Sequence, residues 1–328
     1  MKILSLLLIL ICSTSCQSQT NSKMSQDKTN PLLCDPVSGM CEMPIGEQSN
    51  EKTLIPSENK PIKIIYYTDP ICSSCWGIEP QLRKLKLEYG DYFDIDYRMG
   101  GLLPDWSYNS GGISKPSDVA HHWDEASLYY EMPIDGNVWI EDPLDSSYPS
   151  CIAMKAAQMQ SKTKAISFMR ILREKLYLDK KNIAKWENIT EAAKNAGLDV
   201  QKLKADYDDA EELFQEDLNY ARTLGVRGFP TLFFSDGNGK QLTVYGSKPY
   251  ADFKNTLLAL FPEAKKKNIK NENALDLFET FPTLAPKEYA VILDKSTSEA
   301  TSILEKLHQQ GLLDKKTIKN GSLYIIKK

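Results

Sequence analysis

Residues 62–76, Ile-Lys-Ile-Ile-Tyr-Tyr-Thr-Asp-Pro-Ile-Cys-Ser-Ser-Cys-Trp, read as a strand that runs directly into a helix. Ile62, Ile64, Ile65, Tyr66 and Tyr67 form a short apolar run of strand type, and Asp69-Pro70 ends it. Beyond Trp76, the residues Ile78, Leu82, Leu85 and Tyr89 recur at helical spacing. Cys72 and Cys75 therefore stand at the tip of a helix, where free backbone N–H groups and the helix dipole stabilise a thiolate. Two intervening residues put both thiols on one helical turn. One can then attack a disulfide sulfur while the other resolves the mixed disulfide.

Outward from this junction, Phe93, Ile95 and Tyr97 alternate through 92–98 and predict a second strand. Residues 100–115 carry Gly100-Gly101, Pro104 and Gly111-Gly112 and are expected to be loop. Helical spacing then dominates, most clearly over 150–160, 164–177, 183–196, 200–207 and 210–224. Two strands follow at 231–234 and 241–245, joined by the hairpin signal Asp236-Gly-Asn-Gly239, and Pro249 opens a helix over 250–261. This order predicts an α/β fold whose sheet has helices on both faces, with a helical insertion at about 116–224 that cannot lie within the sheet.

Residues 263–328 follow the Lys-rich run Lys265–Lys267 and are expected to form a small separate α+β unit. Its predicted parts are helices near 286–293 and 298–310, the second stopped by Gly311, and a hairpin turning at Asn320-Gly321. Two helices and a hairpin resemble half of a winged-helix module. The unit contains no Arg to fork onto bases or phosphates, so docking or packing is its expected role.

At 328 residues the chain has room for one large domain or two. A hydrophobic fraction of 41% with 26% charged residues argues against a fibre or a wholly disordered chain, and a net charge of -4 offers no field for a polyanion, so no nucleic-acid partner is expected. Lys2, the apolar run Ile3–Ile11 and the small residues Ser13–Ser15 have the layout of a secretory signal over residues 1–15. Small residues directly before Cys16 resemble the lipobox of bacterial lipoproteins. That resemblance implies an acylated Cys16, a membrane anchor and a place in the cell envelope, facing the periplasm.

Residues 16–60 read as a polar tether, interrupted by Cys34-Asp-Pro-Val-Ser-Gly-Met-Cys41. Asp-Pro and Gly39 turn the chain back, so a local disulfide between Cys34 and Cys41 is geometrically easy in an oxidising compartment. Closing so short a loop contributes roughly 2.5 kcal/mol in the chain-entropy model. Two roles stand for the pair: a staple that orders the arm, or a relay that exchanges with Cys72/Cys75.

The remaining candidates divide between chemistry and packing. A zinc site would need two ligands besides Cys72 and Cys75, and only Cys34/Cys41 at irregular spacing could supply them, so no metal is expected. Asp69 and Glu79 flank the motif either as a proton relay for Cys75 or as solvated and capping carboxylates. Trp76 shields the sulfurs or packs inside. His121-His122 sits at the edge of the insertion, and Cys151 in an apolar helix reads as a buried free thiol.

Taken with Phe229-Pro230-Thr231 just ahead of a predicted strand, the cysteine junction resembles the thioredoxin superfamily and, within it, the DsbA-like branch with a helical insertion. The resemblance covers residues 61 to about 261 of a domain expected over 61–262. It implies that Cys72 is the nucleophile, Cys75 the resolving thiol and Pro80 the helix-kinking proline. It further implies a cis Pro230 facing the sulfurs, in the loop 225–231. That turn would offer the Phe229 backbone to an extended substrate strand, with Phe229, Trp76 and Thr231 as substrate-binding residues.

The runs Met99-Gly-Gly-Leu-Leu-Pro-Asp-Trp106, His122-Trp123 and Asp145-Ser-Ser-Tyr-Pro-Ser-Cys-Ile-Ala-Met-Lys-Ala-Ala157 resemble the branch described as ClpXP-protease adapters and FrnE-like proteins. Those adapters are cytosolic, and the signal pattern departs from them. The expected function is an envelope thiol:disulfide oxidoreductase acting on protein thiols and disulfides, served by an upstream redox partner and needing no dissociable cofactor. The alternative is a client-binding adapter on the same scaffold. A glutathione-using isomerase fits less well, because that chemistry can place Ser at the second thiol. Ser73-Ser74 supplies hydroxyls but no positive charge, so the direction of electron flow stays open.

Overall fold

The computed structural model describes residues 34–35, 40–42, 60–107 and 113–327. The expectations for the signal pattern and for Cys16 lie outside them. Two short strands come first, β1 (Cys34–Asp35) and β2 (Met40–Glu42), paired antiparallel. The apolar run becomes β3 (Ile62–Thr68), buried everywhere except Lys63, as a strand covered on both faces requires. The helix that follows is broken in two, α1 (Ser73–Gly77) and α2 (Glu79–Tyr89), meeting at Ile78. Pro80 lacks the N–H that would donate to the Trp76 carbonyl, and this gap permits the bend.

Strand β4 (Phe93–Met99) returns parallel to β3, with Ile62 opposite Phe93 and Thr68 opposite Met99. Among the described residues the insertion then holds α3 (Pro116–Tyr130), α4 (Val138–Glu141), α5 (Tyr148–Gln160), α6 (Lys162–Tyr177), α7 (Trp186–Asn195), α8 (Val200–Ala205) and α9 (Tyr207–Thr223). Helix α5 starts two residues before its apolar spacing does, because Pro149 is tolerated in a first turn whose N–H groups have no partner. The chain re-enters the body through β5 (Gly228–Phe229), β6 (Thr231–Ser235), β7 (Gln241–Tyr245) and α10 (Tyr250–Leu260). The main sheet runs β4-β3-β6-β7, with β6 antiparallel to β3 and β7 antiparallel to β6. This is the α/β fold with a helical insertion expected from the order of elements.

Two buried polar networks fix the insertion on the sheet. Asp217 of α9 is fully buried and accepts from Arg98 Nη1 at 2.8 Å, Met99 N at 2.9 Å and Lys155 Nζ at 2.7 Å. One carboxylate thus joins the end of β4 to α5 and α9. Arg173 of α6 donates to Thr68 Oγ1 at 2.7 Å and Asp69 O at 3.1 Å, and pairs with Glu79 at 3.3 Å. It therefore clamps the insertion onto the turn between β3 and α1, where the cysteines begin.

The C-terminal unit comprises α11 (Asp276–Thr280), β8 (Thr283–Leu284), α12 (Pro286–Ile292), α13 (Thr297–Gln309), β9 (Leu313–Ile318) and β10 (Gly321–Ile326), with sheet order β8-β10-β9. Helix α11 and strand β8 add to the two helices and hairpin expected. The unit has an apolar cluster of its own around Phe278, Tyr289, Leu304 and Tyr324. It is nonetheless bound tightly to the body. The buried Glu288 accepts from Arg170 Nη1 at 2.9 Å and Nη2 at 3.0 Å, and lies 3.1 Å from Arg83 Nη1. At the hairpin tip, Asn320 Nδ2 donates to Asp124 Oδ1 at 2.7 Å and Ile134 O at 2.9 Å, reaching α3 and the loop after it. No described helix is long and apolar enough to cross a membrane.

Candidate active site

Cys72 is the N-cap of α1, and its Sγ accepts a hydrogen bond from the Cys75 backbone N–H at 3.1 Å. The two cysteines are joined in a disulfide with their Cα atoms 5.2 Å apart. Cys72, Ser73, Ser74 and Cys75 are all fully buried.

The Phe229–Pro230 peptide bond is cis. Thr231 Oγ1 donates to Gly228 O at 2.6 Å and closes the turn around it. The Phe229 ring lies over Gly100: a Cβ there would stand 1.7 Å from Phe229 Cζ. Sequence reading treated Gly100-Gly101 as loop composition and missed this contact, which no local pattern encodes. Gly100→Ala is expected to push Phe229 away and to destabilise the fold by about 1–3 kcal/mol, as overpacking does, measured by denaturant unfolding.

Strand β2 pairs antiparallel with β5, Cys41 opposite Phe229 and Glu42 opposite Gly228. The backbone edge beside Pro230 is thus already occupied by a peptide strand from the N-terminal arm. Cys41 is fully buried and held in a disulfide. Its Sγ lies 3.6 Å from Cys72 Sγ and 3.5 Å from Ser74 Oγ. Cys34 stands directly across from Cys41 in the β1–β2 register.

The other candidates fall elsewhere. Ser74 Oγ is 2.8 Å from the Tyr130 hydroxyl, a partner on α3 that sequence reading did not single out. Trp76, expected either among the substrate-binding residues or as inner packing, is buried, as are Phe229 and Thr231. Its Nε1 donates to Pro133 O at 3.2 Å, Arg170 lies 4.3 Å from the ring centroid, and Tyr177 packs against the ring. These contacts tie it to the insertion.

Asp69 has its two oxygens engaged by Ile71 N at 3.0 Å, Leu102 N at 2.7 Å, Ser147 Oγ at 3.0 Å and Cys151 Sγ at 3.2 Å. Burial pushes its carboxyl above the usual carboxylate range, and the donated hydrogen bonds only partly oppose this. Glu79 pairs with Arg173. Both proposed relay carboxylates are therefore occupied in fixing the turn before Cys72. Cys151 is a buried free thiol, raised well above its ordinary range by burial and then by the neighbouring Asp69. His121 is on an exposed face of α3, 3.1 Å from Glu125.

A family model described as thioredoxin matches residues 66–255. The adapter protein of ClpXP named SpxH from Halalkalibacterium halodurans is 32% identical over 305 residues, covering 90% of this chain and 97% of that protein. The SpxH adapter of Bacillus subtilis is 30% identical over 272 residues, covering 81% and 89%. Among solved structures, a candidate protein disulfide isomerase from Nitrosomonas europaea superposes with a TM-score of 0.52 at 20% identity, over 62% of this chain and 97% of that one.

Proposed function

Because this chain belongs to the thioredoxin family, with SpxH adapters among its relatives, we propose that it receives an extended segment of a client protein at the β5 edge and exchanges a disulfide with it. Cys72 attacks a client sulfur, Cys75 resolves the mixed disulfide, and the Phe229 backbone beside Pro230 pairs with the client strand. An upstream protein dithiol or disulfide resets the pair. The carrying observation is the β2–β5 pairing, in which a peptide strand at this edge brings a sulfur to 3.6 Å from Cys72 Sγ. That is the arrangement strand addition and exchange chemistry both need.

The names of the relatives, matched over nearly their whole length, favour a second reading, in which the chain holds a client for other machinery and the cysteines are incidental to the holding. Both readings share the client edge, and one experiment separates them. Exchange predicts that Cys75→Ala, which cannot resolve, accumulates covalent partners on Cys72. If none accumulates and clients still bind the Cys72→Ala/Cys75→Ala protein, the adapter reading takes its place.

The envelope location with a lipid on Cys16 is a further part of the proposal and is supported by the sequence pattern of residues 1–16. Cys16→Ser is expected to move the chain from the membrane fraction to the soluble one. Retention on the membrane by that variant would remove Cys16 as the anchor.

A further inference from the structure

The client edge of this chain is filled by the chain itself. Strand β2 makes the antiparallel pairing with Gly228–Phe229 that a client would make, and Cys41, Cys72 and Cys75 are all sealed from solvent behind it. The sulfur that β2 delivers is already half of a disulfide. It is therefore an electrophile 3.6 Å from the nucleophile's position, whereas a staple that only ordered the arm would gain nothing from that placement.

We propose that the cysteine pair of the arm, Cys34 with Cys41, is a tethered substrate that exchanges its disulfide with Cys72/Cys75 inside one chain. The proposal rests on the reading of the β5 edge as the client site. Starting from the Cys72/Cys75 dithiol, the Cys72 thiolate attacks Cys41 Sγ. The Cys72–Cys41 bond forms as the Cys34–Cys41 bond breaks, and Cys34 leaves as a thiolate that takes up a proton. Cys75, losing its proton, then attacks Cys72 Sγ, and Cys41 departs in turn. Two electrons and two protons have moved from the active-site pair to the arm pair. The balance closes with no outside reagent, and the reverse sequence carries them back. Each pair is then opened to a further round by an external protein dithiol or disulfide.

Tethering makes the first step unimolecular, so its rate does not depend on protein concentration. For an external client to reach Cys72, β2 must leave β5. The arm therefore competes with clients for the edge as well as exchanging electrons at it.

The test uses full-length Cys75→Ala protein, quenched in acid, alkylated and mapped by peptide mass spectrometry. The expected result is a peptide linking Cys41 to Cys72 as a major species, with the alkyl label on Cys34, in a fraction unchanged on dilution. A second variant, Cys34→Ala/Cys75→Ala, tests proximity without relying on the exchange equilibrium: mild oxidation is expected to close Cys41–Cys72 within one chain. If Cys72 captures external clients in Cys75→Ala protein while neither variant links Cys41 to Cys72, the tethered-substrate inference falls and client exchange stands. If Cys72 links to Cys41 but captures no client, the inference stands and exchange with other proteins falls. If Cys72 is alkylated as a free thiol and captures neither, both fall.

Discussion

Serine in place of Cys72 is expected to abolish disulfide exchange, slowing it by on the order of 10³ or more, the scale on which loss of a covalent nucleophile acts. A hydroxyl offers no thiolate at neutral pH, and the thiolate is the attacking species. The substitution is conservative in shape at a fully buried position, and an oxygen there can still accept the Cys75 N–H. The fold should therefore persist, and the loss would be chemical. Rates of reduction of a labelled peptide disulfide, with circular dichroism as the control on folding, check this. A Cys72→Ser protein working at the parent rate would place the attacking sulfur elsewhere. Cys75→Ser should behave differently, stalling after the first step with its partner still attached.

The second large effect is on stability, and it arises far from the cysteines in sequence. Glu288→Ala is expected to cost about 3 kcal/mol, the scale for breaking a buried ion pair, because it removes the buried carboxylate that Arg170 and Arg83 share and leaves Arg170 paired with Glu174 alone. Burial by itself would raise the Glu288 carboxyl, but the two guanidinium groups outweigh it and hold the group below its ordinary 4.5. A native value below the unfolded one stabilises the fold above the ordinary carboxylate range. That stabilisation is lost as pH falls below the ordinary value and through the lower native one. The stability gap between the parent and Glu288→Ala should accordingly narrow on acidification, measured as denaturant midpoints across pH. A gap that stays constant would mean that charge is not what binds the unit. Because Arg170 also lies 4.3 Å from the Trp76 ring centroid, loosening Glu288 should disturb the floor of the cysteine site as well.

Local pattern carried much of this molecule. The apolar run at 62–67, the helical spacing after Trp76, the alternation at 93–97 and the Asp236–Gly239 turn each reflect a period of two or of about 3.6 residues, or a backbone preference. Such signals survive without knowledge of distant neighbours. The same logic marked Cys72 and Cys75 at a strand-to-helix junction, while the bend at Pro80 was implied by the family resemblance. It could not say that Trp76 faces inward, since a single aromatic after the motif suits either side of a helix until α3 and α6 are placed against it. Nor could it separate a relay carboxylate from a fixed one at Asp69 and Glu79, whose partners come from Leu102, Ser147 and Arg173.

The sequence by itself determined most helices and strands of the body, the α/β class with its inserted helices, and the two sulfurs at a helix tip, because these follow from short-range spacing and composition. Only the tertiary structure decided that the arm lies on β5 with Cys41 beside Cys72, that Gly100 makes room for Phe229, and that one carboxylate from α12 joins the C-terminal unit to the body. Each of these brings together residues dozens to hundreds of positions apart. Their meeting depends on how whole elements stack and leaves no period in the chain to read.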